Sequence, residues 1–313
     1  MGKLPKRNKT YGFPYMGSKS AIAEWVVSAL PARRHFYDLF AGGCAVTHAA
    51  LLLRRFETYN INDLNPMPTQ LFLDALNGKY ADEKRWISRE EFMRLRGVDA
   101  YVTFCWSFGN DMRNYIYGKE EEPIKRALHY ALYFADYQPM KELGYDLTFL
   151  DRYRDAETKY VAARRYLRAQ AGRRIECQTL QNCERLASLQ NCERLARLQN
   201  CANATISDRI QRTACSYDEV QIRENSVLYC DIPYENTTEY SGTEGFNHRR
   251  FAEWANAQAE PVIVSSYQMD PRYFTRFQSI AKRCRMCPTD RSKVVCEGLF
   301  VAVAQIEKGI FKI

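Results

Sequence analysis

The stretch Leu228-Tyr229-Cys230-Asp231-Ile232-Pro233-Tyr234 sets a carboxylate, a backbone carbonyl followed by proline, and an aromatic ring in consecutive positions. They follow an apolar run, Ser226 to Cys230, that reads as a buried strand. In an open α/β sheet, ligands bind at the carboxyl ends of the strands, so these groups would converge on one pocket. Two acceptors and a flat ring suit a planar base with an exocyclic amine: the acceptors take the NH2 and the ring stacks on the base. The same residues also suit an ordinary strand with an Asp-x-Pro turn. The elements that position them must decide.

Tyr11 to Ser20 is a loop rich in Gly, Pro and Ser, and Ser20 is placed to cap a following helix. In that helix Ala21, Ile22, Trp25, Val26 and Ala29 share one face, and Pro31 stops it. The loop aromatics can cover a flat ligand and Lys19 can meet an anion; a packed loop before a helix fits equally. His35 to Phe40 reads as a strand and Ala41-Gly42-Gly43-Cys44-Ala45 as a glycine turn. Val46, Ala49, Ala50 and Leu53 then continue as a buried helix. Strand, glycine turn and helix make the first half of a nucleotide-binding βαβ unit, whose helix N-terminus offers N–H groups to a ligand. The spacing is neither G-x-G-x-x-G nor G-x-x-x-x-G-K-[ST], which disfavours NAD and ATP hydrolysis. A second strand, Thr58 to Asn62, ends at Asp63, where an acid can accept from both hydroxyls of a ribose.

The character changes after Leu64. A helix through Leu71, Phe72, Ala75 and Leu76 breaks at Asn77-Gly78, and Arg89 to Arg96 reads as a charged helix. Trp106, Phe108 and Asn110 are followed by Arg113 and Lys119. Aromatic and basic residues so interleaved can stack on bases and hold phosphates, or form a small helical core with a solvated rim. Lys125 to Tyr137 is a further helix. Tyr153 to Arg174 is rich in arginine, which suits a phosphate backbone or a solvated helix face. Leu180-Gln-Asn-Cys-Glu-Arg-Leu-Ala-Ser188 recurs from Leu189, and a third copy begins at Leu198. Apolar residues fall at every third position of this repeat, 180–201. A long helix would wind that line around its surface, so a three-sided coil or tight turns fit better, serving as a DNA-reaching arm or, by a slight preference, as a spacer. Strand-like text returns at Ser226–Tyr234, Pro261–Ser266 and Gly298–Ile306, with a helix at Arg249–Gln258. The expectation is an α/β fold whose catalytic domain spans 1–78 and 225–313, interrupted by a mainly helical insertion, 79–224.

The chain has 313 residues and a net charge of +8, which leans toward a polyanionic partner. No apolar run is long enough for a membrane span, and Met1 to Thr10 lacks the apolar core of a secretory signal. An intracellular protein whose 11 cysteines are reduced is expected. Cys284-x-x-Cys287 has no second pair at zinc-finger distance, so no metal site is expected.

With its motifs in this order, the chain resembles the D12 class of DNA N6-adenine methyltransferases. The resemblance rests on Pro14-Tyr15-Met16-Gly17-Ser18-Lys19, then Asp38-Leu39-Phe40-Ala41-Gly42-Gly43, then Asp231-Ile232-Pro233-Tyr234, covering about half the chain at its two ends. It implies a Rossmann-like sheet that binds S-adenosylmethionine (AdoMet), a target-recognition insertion, and methyl transfer to N6 of a flipped-out adenine at a specific site in double-stranded DNA. It further implies cofactor binding by Tyr15, Met16, Gly17, Lys19, Asp38, Phe40, Ala41, Gly42, Gly43 and Asp63. Catalysis would fall to Asp231, Ile232, Pro233 and Tyr234, and DNA contact to Trp106, Phe108, Asn110, Arg113 and Lys119. The family's commonest catalytic motif is Asp-Pro-Pro-Tyr; here Ile232 replaces the first proline and keeps the carbonyl that matters. A cytoplasmic protein of bacterial or phage origin is implied. An RNA or cytosine-N4 methyltransferase and a non-catalytic DNA-binding protein are the alternatives. The recognised sequence, the oligomeric state and a cognate restriction endonuclease stay open.

Overall fold

The computed structural model describes residues 10–171, 186–198, 208–234, 245–283 and 294–313. It divides into two compact units, Met1–Gly78 with Leu198–Ile313, and Lys79–Arg197. The first carries β1 (His35–Asp38), β2 (Thr58–Asn62), β3 (Ile210–Thr213), β4 (Ser226–Cys230), β5 (Val262–Ser266), β6 (Phe274–Arg283) and β7 (Val294–Ala302). These form one sheet in the order β3-β2-β1-β4-β5-β7-β6. The pairs from β3 to β5 are parallel, and β7 runs antiparallel to both β5 and β6. β4 and β5 are buried at every position, as central parallel strands covered on both faces must be. This is a mixed α/β, mostly parallel, Rossmann-like sheet, the fold class expected.

Three helices lie among the first strands: α1 (Ala23–Ala29), α2 (Ala45–Leu52) and α3 (Pro66–Leu76). Asn65 caps α3 by accepting from the Met67 N–H, and Pro66 occupies the first turn, where its missing N–H costs nothing. The second unit is helical: α4 (Arg89–Leu95), α5 (Ala100–Cys105), α6 (Glu122–Phe134), α7 (Gln138–Glu142), α8 (Ala156–Ala171) and α9 (Ala187–Ala196). Ser88 and Glu91 form a reciprocal capping box on α4, and Asp99 caps α5. Back in the first unit, α10 (His248–Ala257) and α11 (Val303–Glu307) complete the chain. One apolar cluster there joins Leu39, Leu228, Ile232, Phe251, Val264 and Phe300, from both sequence ends of the unit. Among the described residues no helix is long and apolar enough to cross a membrane.

Several elements differ from expectation. Ser20 does not cap a helix; its Oγ accepts from the Tyr11 N–H at 2.7 Å, and α1 begins later, leaving Ala21 exposed. Residues 208–224, expected in the insertion, include β3, which pairs with β2 and so belongs to the sheet unit. The strand expected at Gly298–Ile306 starts earlier, at Val294, and turns into α11. The helix expected at Lys125–Tyr137 runs from Glu122 to Phe134. The described part of the repeat is a helix, α9, which buries Leu189, Cys192 and Leu195. A step of three residues turns an α-helix about 60° short of a full turn, so three such residues still share one face. The line would leave that face only over a longer helix. The rest of the repeat, and Cys284 and Cys287, lie outside the described residues.

Candidate active site

β2 and β3 lie to one side of β1, and β4 and β5 to the other. The winding therefore reverses between β1 and β4, and an open sheet takes its ligand in the crevice beyond those two carboxyl ends. Asp38 is in register with Tyr229, and the Leu39 N–H donates to the Tyr229 carbonyl at 3.0 Å. The glycine turn after β1 and the Asp231–Tyr234 corner after β4 thus leave the sheet side by side.

The N-terminal loop is fastened onto the glycine turn. The Gly12 N–H donates to His48 Nδ1 of α2 at 2.9 Å, and the Phe13 N–H to the Gly43 carbonyl at 3.2 Å. A Cβ on Gly43 would meet the Cβ of Tyr15 at 2.5 Å, and one on Gly42 would meet the Tyr15 ring at 2.8 Å. The absence of a Cβ at these glycines lets Tyr15 pack directly on the turn. Asp63, at the tip of β2, accepts from the Gly42 N–H at 2.8 Å and the Asn65 N–H at 3.0 Å. Burial raises its pKa, against the two N–H groups that lower it. Ala41 donates its N–H to the Asn62 carbonyl at 2.9 Å. Phe40 stacks on Tyr217 and meets Phe246 and Phe251 edge-on. Met16 is half-buried and Gly17 exposed.

Asp38 is buried, and Thr47 Oγ1 donates to its Oδ2 at 2.7 Å. Among the described residues its Oδ1 has no hydrogen-bond partner. Burial, opposed by Thr47 and reinforced by Asp231 and Asp63, pushes its pKa up to about 7. A buried, half-satisfied acid at a strand tip suits a cationic or donor group from outside.

Lys19, from the loop fastened to the glycine turn, reaches the tip of β4. Its Nζ lies 2.6 Å from Asp231 Oδ1, 4.0 Å from Glu297 Oε1 and 4.9 Å from the centre of the Tyr234 ring. Burial opposes its charge, but Asp231 and Glu297 together outweigh that and raise its pKa. Ser265 Oγ, at the end of β5, donates to Asp231 Oδ1 at 3.2 Å and lies 2.8 Å from the Tyr229 hydroxyl. The Tyr234 hydroxyl donates to Glu297, and its ring meets Tyr267 edge-on. Burial, then the charges of Asp231 and Glu297, drive the Tyr234 phenol far above its ordinary range, so it stays protonated. Behind the corner a cavity of about 440 Å³ is lined by Ile232, Pro233, His248, Ser266, Met269 and Tyr273, among others. The glycine turn is not among its lining residues.

Glu297, Ser265 and Thr47 were not singled out in the sequence. Glu297 alone carries a sign there: an acid inside an apolar strand.

In the second unit the aromatic and basic residues separate. Trp106 is fully buried, edge-on to Trp86 with ring centres 5.1 Å apart, so it is a core residue and cannot stack on a base. Phe108 is 66% exposed. It opens a loop closed by the Ser107–Tyr115 bridge, in which Asn110 Nδ2 donates to the Phe104 carbonyl at 2.9 Å. Arg113 and Lys119 are exposed.

A family model, D12 class N6 adenine-specific DNA methyltransferase, matches residues 15–170. The match takes in Lys19, the glycine turn, Asp63 and most of the helical unit; the Asp231–Tyr234 corner lies beyond it. Among curated proteins none matches the chain.

Proposed function

The chain belongs to the D12 class of N6 adenine-specific DNA methyltransferases, and from that premise we propose that it transfers the methyl group of AdoMet to adenine N6 at a specific DNA sequence, with the tips of β1 and β4 as its active site. The observation that carries this is the bridging of the two tips by the N-terminal loop. A residue of the N-terminal loop reaches the catalytic carboxylate, and the same loop covers the glycine turn.

The residues present fit AdoMet. Asp38, with one buried oxygen that has no partner among the described residues, suits the cationic methionine end; Asp63 suits the ribose; Tyr15 and the glycine turn form one wall. When bound, AdoMet supplies an electrophilic methyl carbon. The protein does the rest. A target adenine leaves the duplex at a cost of a few kcal/mol and stacks on Tyr234. The Asp231 carboxylate and the Ile232 carbonyl accept the two N6 hydrogens, which turns the nitrogen lone pair out of conjugation and toward the methyl carbon. Ser265 holds Asp231 at the proper angle. Positioning of this kind can supply much of the rate acceleration. The helical unit, through Phe108, Asn110, Arg113 and Lys119, is proposed to recognise the DNA, and Trp106 to support it from the core.

The test is expression in a host that lacks adenine methylation, followed by nucleoside analysis of its DNA. N6-methyladenine is expected with the natural chain and none with Asp231→Ala. N4-methylcytosine instead, or no modified base, would overturn the reading.

A further inference from the structure

Glu297 is the most enclosed charged group beside the catalytic corner. Its side chain is 0% exposed and comes from β7, the antiparallel strand, over sixty residues from Tyr234. A buried carboxyl in an apolar strand is costly without partners. Here it accepts the hydroxyl of the residue proposed to stack on the base, and lies within ion-pair distance of the lysine that holds the proposed catalytic acid.

Lys19 sits closer to Asp231 than to Glu297, 2.6 against 4.0 Å. Its ammonium therefore draws on the carboxylate proposed to take the N6 amine, sharing Oδ1 with Ser265, and lies near the Tyr234 ring on which the base would stack. An amine that binds Asp231 competes with the ammonium for its charge, and a buried ammonium whose hold is weakened must keep an acidic partner. Glu297 is already within reach.

We propose that Glu297 is a positioning residue for the methyl transfer: it fixes Tyr234 through the hydroxyl and receives the Lys19 ammonium when Asp231 turns to the substrate amine. This rests on the function proposed above. No bond is made or broken at Glu297, and the ammonium keeps its protons throughout.

The test compares the natural chain, Glu297→Gln and Tyr234→Phe in transfer of labelled methyl from AdoMet to unmethylated plasmid DNA, with AdoMet affinity measured by calorimetry. Glu297→Gln keeps an acceptor for Tyr234 but cannot compete for the ammonium. Its kcat should fall about tenfold or more while AdoMet affinity changes by less than about threefold, since the loss is in positioning and not in uniform binding. Tyr234→Phe removes only the hydroxyl and should also lower kcat, by a smaller factor. In the double variant the two losses should combine less than multiplicatively. A Glu297→Gln enzyme with unchanged kcat overturns the proposal. If that variant does not fold, an unchanged kcat in Tyr234→Phe overturns it instead. An inactive natural chain overturns the proposed function itself, a distinct result.

Discussion

Replacing Asp231 by alanine removes two things that can be weighed separately. The first is the nearer partner of a buried ammonium, which lies 2.6 Å from Asp231 and 4.0 Å from Glu297 on a side chain only 7% exposed. At an effective dielectric of about 20, those separations correspond to roughly 6 and 4 kcal/mol of gross attraction. Deleting one member of a buried pair costs about 3–5 kcal/mol, and because Lys19 keeps Glu297 the expected loss falls at or below the low end, about 2–3 kcal/mol. A domain stable by about 5–15 kcal/mol survives that. The second loss is the charged acceptor proposed for the substrate amine; removing one preorganised hydrogen-bonding group aimed at developing charge lowers a rate by about 10²–10³. The variant should therefore fold and bind AdoMet while methyl transfer falls at least a hundredfold or so. Single-turnover transfer to plasmid DNA measures the rate, and urea unfolding the stability. Lys19→Met is the contrast. It leaves Asp231 and Glu297, both within 4.0 Å of one nitrogen in the natural chain, without their shared cation, and should be the less stable of the two. An Asp231→Ala enzyme within about tenfold of the natural rate would refute the mechanism. A Lys19→Met protein more stable than Asp231→Ala would refute the account of the ion pair.

Asp38 gives a pH dependence of unusual sign for a carboxyl. Its folded pKa, about 7, stands above the ordinary carboxyl value of 3.8, so between those values the folded chain holds a proton that the unfolded chain has lost. Its contribution to stability is therefore full below that window and declines as pH rises through it, by up to roughly 4 kcal/mol. Asp38→Asn should flatten that slope in urea unfolding between pH 4 and pH 8. Gly43→Ala would drive a methyl to 2.5 Å from Tyr15 Cβ and 3.2 Å from the Phe13 carbonyl. The N-terminal loop has to shift, and AdoMet affinity should fall about tenfold or more in calorimetry. Phe108→Ala should weaken DNA binding with no loss of thermal stability. Trp106→Ala, a fully buried aromatic, should destabilise the helical unit by about 3–5 kcal/mol in thermal unfolding.

What was legible in the sequence was local. The β1 strand, its glycine turn and α2 are contiguous, so spacing and periodicity alone define them. The run ending at Asp231, and Asp63 at the tip of β2, were legible for the same reason. What escaped depends on contacts far apart in the chain. Glu297 meets Lys19 and Tyr234 only because β7 inserts antiparallel beside β5. Nothing in the text around residue 297 announces that. β3 is short, and as an edge strand leaves Gln211, Arg212 and Thr213 exposed, so it lacks the apolar signature of the central strands. Trp106 precedes Asn110, Arg113 and Lys119 in sequence, which invited a DNA-contact reading, but as the C-cap of α5 it packs inward against Trp86 and His129. The repeat misled in the opposite way: its strict period of three argued against a helix, whereas α9 is too short for the mismatch to accumulate.

The isoleucine at the corner has a thermal consequence. Ile232 is 2% exposed and belongs to the same cluster as Leu39, Phe251 and Ala252. Enclosing such a side chain is worth about 1.5–3 kcal/mol, more than the roughly 0.4–1 kcal/mol by which a proline's stiffness stabilises a compatible site. The carbonyl proposed as acceptor is moored from the interior by hydrocarbon contact, a force that slackens in the cold, whereas a proline's lock is steric and does not.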